Sequence, residues 1–204
     1  MPRYRRPPLT GAPVFFTVCL AQRGSTALID HLDILRHAVS VTLRDRPFGI
    51  LAWVVLPDHM HAVWQLPVDD PDYAQRWGRI KARFSRGWRA AAEGSGRPGF
   101  SPGPAFPTSL PVVTVGKYSG LKPGLRADKR EAAIWQRRFW EHHCRDEEDL
   151  QRHIRYCLMN PVKHGFVERP TDWAASSIHW DVRQGRLPPD WSGEHLLGKF
   201  GEAA

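Results

Sequence analysis

The sequence contains a His-Met-His triplet, in which His59 and His61 flank Met60. Successive side chains of a strand point to opposite faces, so a strand here would project both imidazoles from one face. Two such histidines can share a divalent metal ion, because imidazole is the commonest protein ligand for ions of this kind. Hydrogen-bonded surface histidines have the same spacing, so the triplet indicates a metal site without establishing it.

A tyrosine and an asparagine near the end of the chain supply a second chemical pair. Tyr156 and Asn160 are four residues apart in a segment that reads as a helix, so they lie one above the other on a single face. The apolar stripe of that helix runs through Leu150, Ile154 and Cys157, and the pair lies on its flank. The alternative is a boundary tyrosine followed by an asparagine that caps the helix.

Taken together, these four residues fit one reaction, the transesterification of a phosphodiester. A metal ion neutralises charge that develops on the attacked phosphate. A tyrosine hydroxyl can act as the nucleophile and hold the cut strand as an ester. Two imidazoles and an amide oxygen would leave coordination positions for phosphate and water, as a catalytic metal site requires.

The chain pattern predicts elements that can position these groups. Apolar and β-branched runs predict strands over 13–20, 48–56 and 59–66. Three-to-four spacing of apolar residues predicts helices over 30–45 and about 72–92.

The later part of the chain adds two more elements. Residues 134–144 read as a strand, and a helix from about 147 to 159 should end at Asn160 and Pro161. The order strand, helix, strand, strand, helix, strand, helix predicts an α+β fold, a ferredoxin-like antiparallel sheet with helices on one face.

A basic stripe beside the apolar face of the helix at 72–92 is a candidate track for a DNA backbone. A solvated helix face would have the same pattern, and the position of the stripe relative to the histidines decides between them. The candidate DNA-binding residues are Arg76, Arg79, Arg83, Arg86, Arg137, Arg138 and Lys163.

Bulk composition is that of one globular domain over residues 1–204, with a Gly/Pro-rich insertion at about 94–124 and a C-terminal tail at about 166–204. Lys and Arg total 29 against 21 acids, a net charge of +8, which favours a polyanionic partner such as nucleic acid. No stretch has the roughly 18 apolar residues of a membrane span, and the start lacks a secretory signal, so we expect a cytoplasmic protein. The three cysteines form no CxxC pair and are expected to be reduced.

Four segments resemble one protein family closely. They are LPDHMHAVWQL, IWQRRFWEHHCRDEEDL, HIRYCLMNPVKHG and DWAASSIHW, and the likeness runs from about Val14 to Trp191. The family is that of the REP-associated tyrosine transposases, which are single-tyrosine HUH transposases. The block from Trp135 to Gly165 carries the most specific part of this resemblance.

The resemblance implies an HUH fold that binds Mg²⁺ or Mn²⁺ through His59, His61 and Asn160, with Tyr156 as the nucleophile. It also implies a substrate, single-stranded DNA that folds into short palindromic hairpins and is cut to a 5′-phosphotyrosyl intermediate. Members of the family commonly act as monomers. A dimer, in which the tyrosine helix belongs to the partner subunit, is the alternative arrangement.

Two other functions are compatible with the same residues. A non-catalytic hairpin DNA-binding protein, derived from such a transposase, would keep the basic surface and need no metal. A metal hydrolase would use activated water, and Tyr156 would then be structural. Covalent capture of the cut strand separates the transposase chemistry from both.

Overall fold

Four strands form one antiparallel sheet in the computed structural model, which describes residues 11–92 and 134–193. In chain order they are β1 (Pro13–Cys19), β2 (Gly49–Val55), β3 (His59–Gln65) and β4 (Trp140–His143). Their order in the sheet is β2-β3-β1-β4, and each neighbouring pair is antiparallel. The late strand is shorter than the sequence predicts, because Trp135 makes only an isolated bridge with Leu20.

The helices occupy the intervals between and after these strands. They are α1 (Ala27–Asp30), α2 (Leu32–Asp45), α3 (Tyr73–Ala92), α4 (Glu147–Lys163) and α5 (Ile178–Arg183), with a 3₁₀ turn at Pro170–Asp172. This order and the sheet topology confirm the predicted α+β, ferredoxin-like class.

The sheet separates two apolar clusters. On β1, Val14, Phe16 and Val18 face α2 and α3, whereas Phe15 faces α4. Helices therefore cover both faces, and not the single face that the sequence suggested. The reason is that β3 buries all residues from His59 to Trp64, so its pattern does not distinguish a covered face from a solvated one.

Helix α4 begins at a capping aspartate and continues past a proline. The Asp146 carboxylate accepts a hydrogen bond from the backbone N–H of Asp149 at 2.8 Å. The expected end at Asn160 and Pro161 is wrong, because the helix continues to Lys163. A proline near the end forfeits one backbone bond, while the His164 N–H still donates to the Asn160 carbonyl at 3.0 Å.

The segment after α4 packs along β2. The Trp173 indole donates to the Val55 carbonyl at 2.8 Å, and Ser177 bonds Trp53 through both its backbone N–H and its hydroxyl. The predicted Gly/Pro-rich insertion at about 94–124 lies outside the described residues. None of the described helices is long and apolar enough to cross a membrane.

Candidate functional site

Two buried histidines of β3 project from the sheet face that α4 covers. His59 and His61 are 7% and 3% exposed, and their ring centroids are 5.2 Å apart. His59 Nδ1 lies 2.6 Å from Asp58 Oδ1, and His61 Nδ1 lies 3.0 Å from Thr17 Oγ1. A carboxylate only accepts, so His59 carries its proton on Nδ1. Each ring then has Nε2 left to bind a ligand.

Asp58 is itself held in place by its surroundings. Its second oxygen accepts a hydrogen bond from the Gly24 N–H at 2.8 Å. Burial raises the pKa of the carboxyl, but the hydrogen bonds from His59 and Gly24 outweigh burial, so the pKa lies below its ordinary value. The carboxylate therefore stays charged and orients His59, as supporting carboxylates do at metal sites.

His61 is kept neutral by its position. Burial, followed by the nearby His59, His164 and Lys163, lowers its pKa from 6.5 to about 3, against a smaller opposing effect of the Asn160 amide. A neutral imidazole offers a lone pair, which is the form that binds metal ions.

Asn160 lies on α4, directly over this face. The side chain is fully buried, and neither its Oδ1 nor its Nδ2 has a hydrogen-bond partner of normal geometry, although the amide is near enough to affect the pKa of His61. Nε2 of His61 is also buried and without a partner. Buried polar atoms are rarely left unbonded, because each costs about 1–3 kcal/mol. A divalent cation bound by Asn160 Oδ1 and the two histidines would satisfy the amide oxygen and the His61 nitrogen, so these residues fit the metal that the sequence predicts.

Tyr156 stands one helical turn before Asn160 and contacts His61 of the same chain. Its ring centroid is 5.2 Å from that of His61 and 5.7 Å from that of Phe15, in edge-on geometry. The Lys163 ammonium lies 5.1 Å from the centre of the tyrosine ring.

Three neighbours of this site were not predicted from the sequence. Asp58 and Thr17 each bond one of the two histidines, and the His164 ring centroid is 5.3 Å from that of His59. Asp58 precedes His59 directly, which is a usable signal for a supporting carboxylate. Thr17 and His164 become recognisable only once β1 and the end of α4 are placed beside β3.

A second group of metal-binding residue types lies at the start of α4. His142, Asp149 and His153 each offer one ligand atom, and these atoms lie within 4.8 Å of one another. They are already bonded, since His142 Nε2 is 2.8 Å from Asp149 Oδ2 and His153 Nδ1 is 2.7 Å from the Asp149 carbonyl oxygen. The first of these bonds joins β4 to α4 and the second lies within α4, so we interpret the cluster as an anchor of the tyrosine helix.

The predicted DNA-binding role of Arg76 is wrong. Its side chain is fully buried, so its guanidinium cannot reach a phosphate. All of its donors are used by carbonyl oxygens of Arg46, Pro47, Asp70 and Asp72 and by the Asp70 carboxylate.

The rest of the stripe lies across the sheet from the histidines, because α3 packs with α2 on the opposite face. Arg79 and Arg83 pair with Asp45 of α2, and Arg83 also donates to the Thr42 hydroxyl. The position of the stripe therefore favours the solvated-face interpretation for these two arginines.

The remaining basic candidates are exposed. Arg86 belongs to the same stripe on α3, Arg137 and Arg138 directly precede β4, and Lys163 ends α4 beside Tyr156. Their contact with DNA stays a prediction. Lys163 is the member of this set that contacts the candidate nucleophile directly.

Comparisons with known proteins identify close relatives. The chain is 39% identical over 194 residues to the REP-associated tyrosine transposase of Escherichia coli K12, covering 95% of this chain and 93% of the relative. A Haemophilus influenzae relative named for the same family is 38% identical over 193 residues. A solved structure of a REP-associated tyrosine transposase bound to a REP hairpin matches with a TM-score of 0.70 and 37% identity, covering 98% of this chain and 99% of that one. No family model matches the chain.

Proposed function

Because the chain belongs to the REP-associated tyrosine transposases, we propose that it cuts and rejoins single-stranded DNA beside hairpins, using a divalent metal and Tyr156. One observation carries the proposal. The Tyr156 ring lies 5.2 Å from that of His61, in a site where buried atoms of His61 and Asn160 have no hydrogen-bond partner. Packing accounts for the tyrosine ring, which lies against Phe15, but it does not account for metal-binding atoms left without partners beside that ring.

The residues that would hold the metal are His59, His61 and Asn160. The oxygen atoms of the Asn160 amide, of phosphate and of water are the ligands that Mg²⁺ and Mn²⁺ prefer, and the two imidazoles would complete the set. When bound, the ion polarises a non-bridging phosphate oxygen and neutralises its developing charge. Asp58 and Thr17 orient the two rings through their Nδ1 atoms.

Tyr156 supplies the nucleophile in this mechanism. The phenolic oxygen attacks phosphorus, the new O–P bond forms and the bond from phosphorus to the 3′-oxygen breaks. The phenolic proton is released, and the cut strand leaves with a free 3′-hydroxyl. The Lys163 ammonium, which lies 5.1 Å from the centre of the Tyr156 ring, adds positive charge beside the attacked phosphate. The 5′-phosphotyrosine ester conserves the bond energy, so a 3′-hydroxyl can later reverse the reaction.

The proposed substrate is single-stranded DNA that carries a hairpin. This assignment is supported by the structural relative, which is bound to a REP hairpin and matches nearly the whole of this chain. The net charge of +8 is compatible with a polyanionic ligand. We also propose that a monomer is active, because the tyrosine contacts His61 of its own chain.

Covalent capture tests the proposal. A labelled REP hairpin with single-stranded flanks is incubated with the protein and Mn²⁺, and adducts are resolved on denaturing gels. We expect an adduct with the parent protein and a loss of more than ~10³-fold with Tyr156→Phe, as when a catalytic nucleophile is removed. An adduct that persists at the parent level in Tyr156→Phe would contradict the proposal.

The two alternatives give different results in the same assay. His59→Ala/His61→Ala should abolish the adduct and retain most hairpin affinity. A non-catalytic binder would form no adduct with any variant and would bind equally with or without metal. A hydrolase that uses water would yield cut DNA without any covalent species, and Tyr156→Phe would still cut.

A further inference from the structure

An exposed tryptophan lies beside the site on the edge strand of the sheet. Trp140 is 55% exposed and begins β4, which pairs only with β1 among the described strands. Thr17 of β1 lies opposite Trp140 on one side and opposite His61 on the other. Directly opposed residues point to the same face, so Trp140 shares the face of the histidines. Two strand spacings put its backbone about 10 Å from that of His61.

The tryptophan ends a row of stacked rings. Its ring is nearly parallel to that of His142, at 8° and 5.9 Å between centroids, and His142 stacks on His153 at 19° and 4.4 Å. The edge of Phe15 supports it from the side, with centroids 5.7 Å apart. Phe15 in turn contacts both His61 and Tyr156. The ring is thus held in one orientation by residues that also contact the reaction site.

Packing does not explain this exposure. An indole ring buries a large apolar area when it is covered, and this ring is left open to solvent on the face that carries the histidines. Trp180 is the other exposed aromatic side chain among the described residues, at 47%, and the Arg186 guanidinium lies 3.8 Å from the centre of its ring. Among the described residues, no cation lies over the Trp140 ring, and the ring stacked on it is the imidazole of His142.

We infer that Trp140 is a stacking platform for an unpaired nucleobase of the DNA strand next to the attacked phosphate. Every base has a π-face, so aromatic side chains bind single strands by continuing their stack. An unpaired base on Trp140 would extend the row formed by His153, His142 and Trp140. The exposed Arg137 and Arg138 lie just before it in the chain, where they can neutralise the flanking phosphates. The inference rests on the proposed single-strand cleavage and names where that strand lies.

The test measures DNA affinity in a background that cannot cut. Tyr156→Phe is combined with Trp140→Ala, with Trp140→Phe or with Trp180→Ala, the last being a matched exposed tryptophan on another element. The probes are a fluorescein-labelled REP hairpin with single-stranded flanks, the same hairpin without flanks, and a randomised single-stranded pool. Circular dichroism checks that each variant is folded.

We expect Trp140→Ala to weaken binding of the flanked hairpin and the single-stranded pool by about tenfold, the loss typical of one base stack. Trp140→Phe keeps a π-face and should stay within about threefold of the parent. Trp180→Ala, and the flankless hairpin with any variant, should show no change. With 5-iodouracil in the flank, ultraviolet crosslinking should place the modified peptide at Trp140.

Several outcomes would overturn the platform. They are unchanged affinity of Trp140→Ala, an equal loss on the flankless hairpin, or failure of the parent to retain either single-stranded probe. The result is independent of the chemistry. If no adduct forms in the capture assay while Trp140→Ala still loses affinity for single strands, the proposed cleavage is wrong and the platform stands. If an adduct forms and the affinity is unchanged, the platform is wrong.

Discussion

The two faces of the sheet bury polar side chains in opposite ways. Under α2 and α3, the guanidinium of Arg76 is fully buried and each of its donors is bonded. Under α4, the amide of Asn160 is equally buried, and among the described residues neither of its polar atoms has a hydrogen-bond partner of normal geometry. The first arrangement stabilises the fold, whereas the second costs free energy.

The fold is therefore less stable under α4 than full hydrogen bonding would make it, and this is where the candidate site lies. The indoles of Trp64 and Trp77 on the first face also have N–H groups without partners, but an indole N–H only donates and has no lone pair for a metal ion. On the α4 face, the unbonded atoms include an imidazole nitrogen and an amide oxygen, which are metal ligands. Functional sites typically lower the stability of the fold that holds them.

The largest expected effect is the loss of stability when the fully hydrogen-bonded Arg76 is replaced. Arg76→Met should lower the free energy of unfolding by about 3 kcal/mol, because it removes a fully buried guanidinium that bonds the carbonyl oxygens of Pro47 and Asp70 and shares the Asp70 carboxylate with Arg46. Urea unfolding measures the change. Hairpin affinity, measured well below the unfolding transition, should not change. Undiminished stability would mean that the buried arginine contributes little to the fold.

A second prediction uses the pH dependence of stability in metal-free protein. The pKa of His61 is about 3 in the folded chain and 6.5 in the unfolded one. Between these values the unfolded state binds the proton and the folded state does not, so stability is lost as the pH falls below 6.5. From pH 7 to pH 5 the loss due to His61 should be about 2 kcal/mol.

The control for that prediction is His61→Gln, which does not titrate. Burial also lowers the pKa of His143, His153 and His164, and these groups act in the same direction in both proteins. The difference between the two unfolding curves therefore isolates His61. Parallel curves across this pH range would show that His61 titrates normally.

The smallest expected effect is a gain in stability, in contrast to the two losses predicted above. Asn160→Leu should raise the stability of the metal-free protein by about 1 kcal/mol, since an unbonded buried amide is replaced by an apolar group of similar size. The same change should abolish covalent capture, because it removes a proposed ligand. Thermal unfolding with and without Mn²⁺ measures both parts, and only the parent should gain stability from the metal. A destabilised Asn160→Leu would mean that the amide makes a favourable contact in the metal-free fold.

Local pattern was enough to predict most of the elements. The alternation from His59 to Leu66 and the apolar spacing along 72–92 correspond to β3 and α3 within a residue or two. Their order in the chain predicted the ferredoxin-like sheet, because few connections are compatible with it. The same alternation predicted that His59 and His61 share a face, and helical periodicity predicted that Tyr156 and Asn160 do.

Only the tertiary structure decided which of these faces meet. Periodicity describes one element at a time. It predicted that four arginines of α3 form a stripe, namely Arg76, Arg79, Arg83 and Arg86. It could not predict that α3 lies across the sheet from the histidines. Arg76 is buried, and Thr17 bonds His61, because segments distant in the chain pack together. Asp58 bonds His59 because of the turn between β2 and β3. Side-chain contacts between elements are set by packing, and packing is not encoded in any single element's pattern.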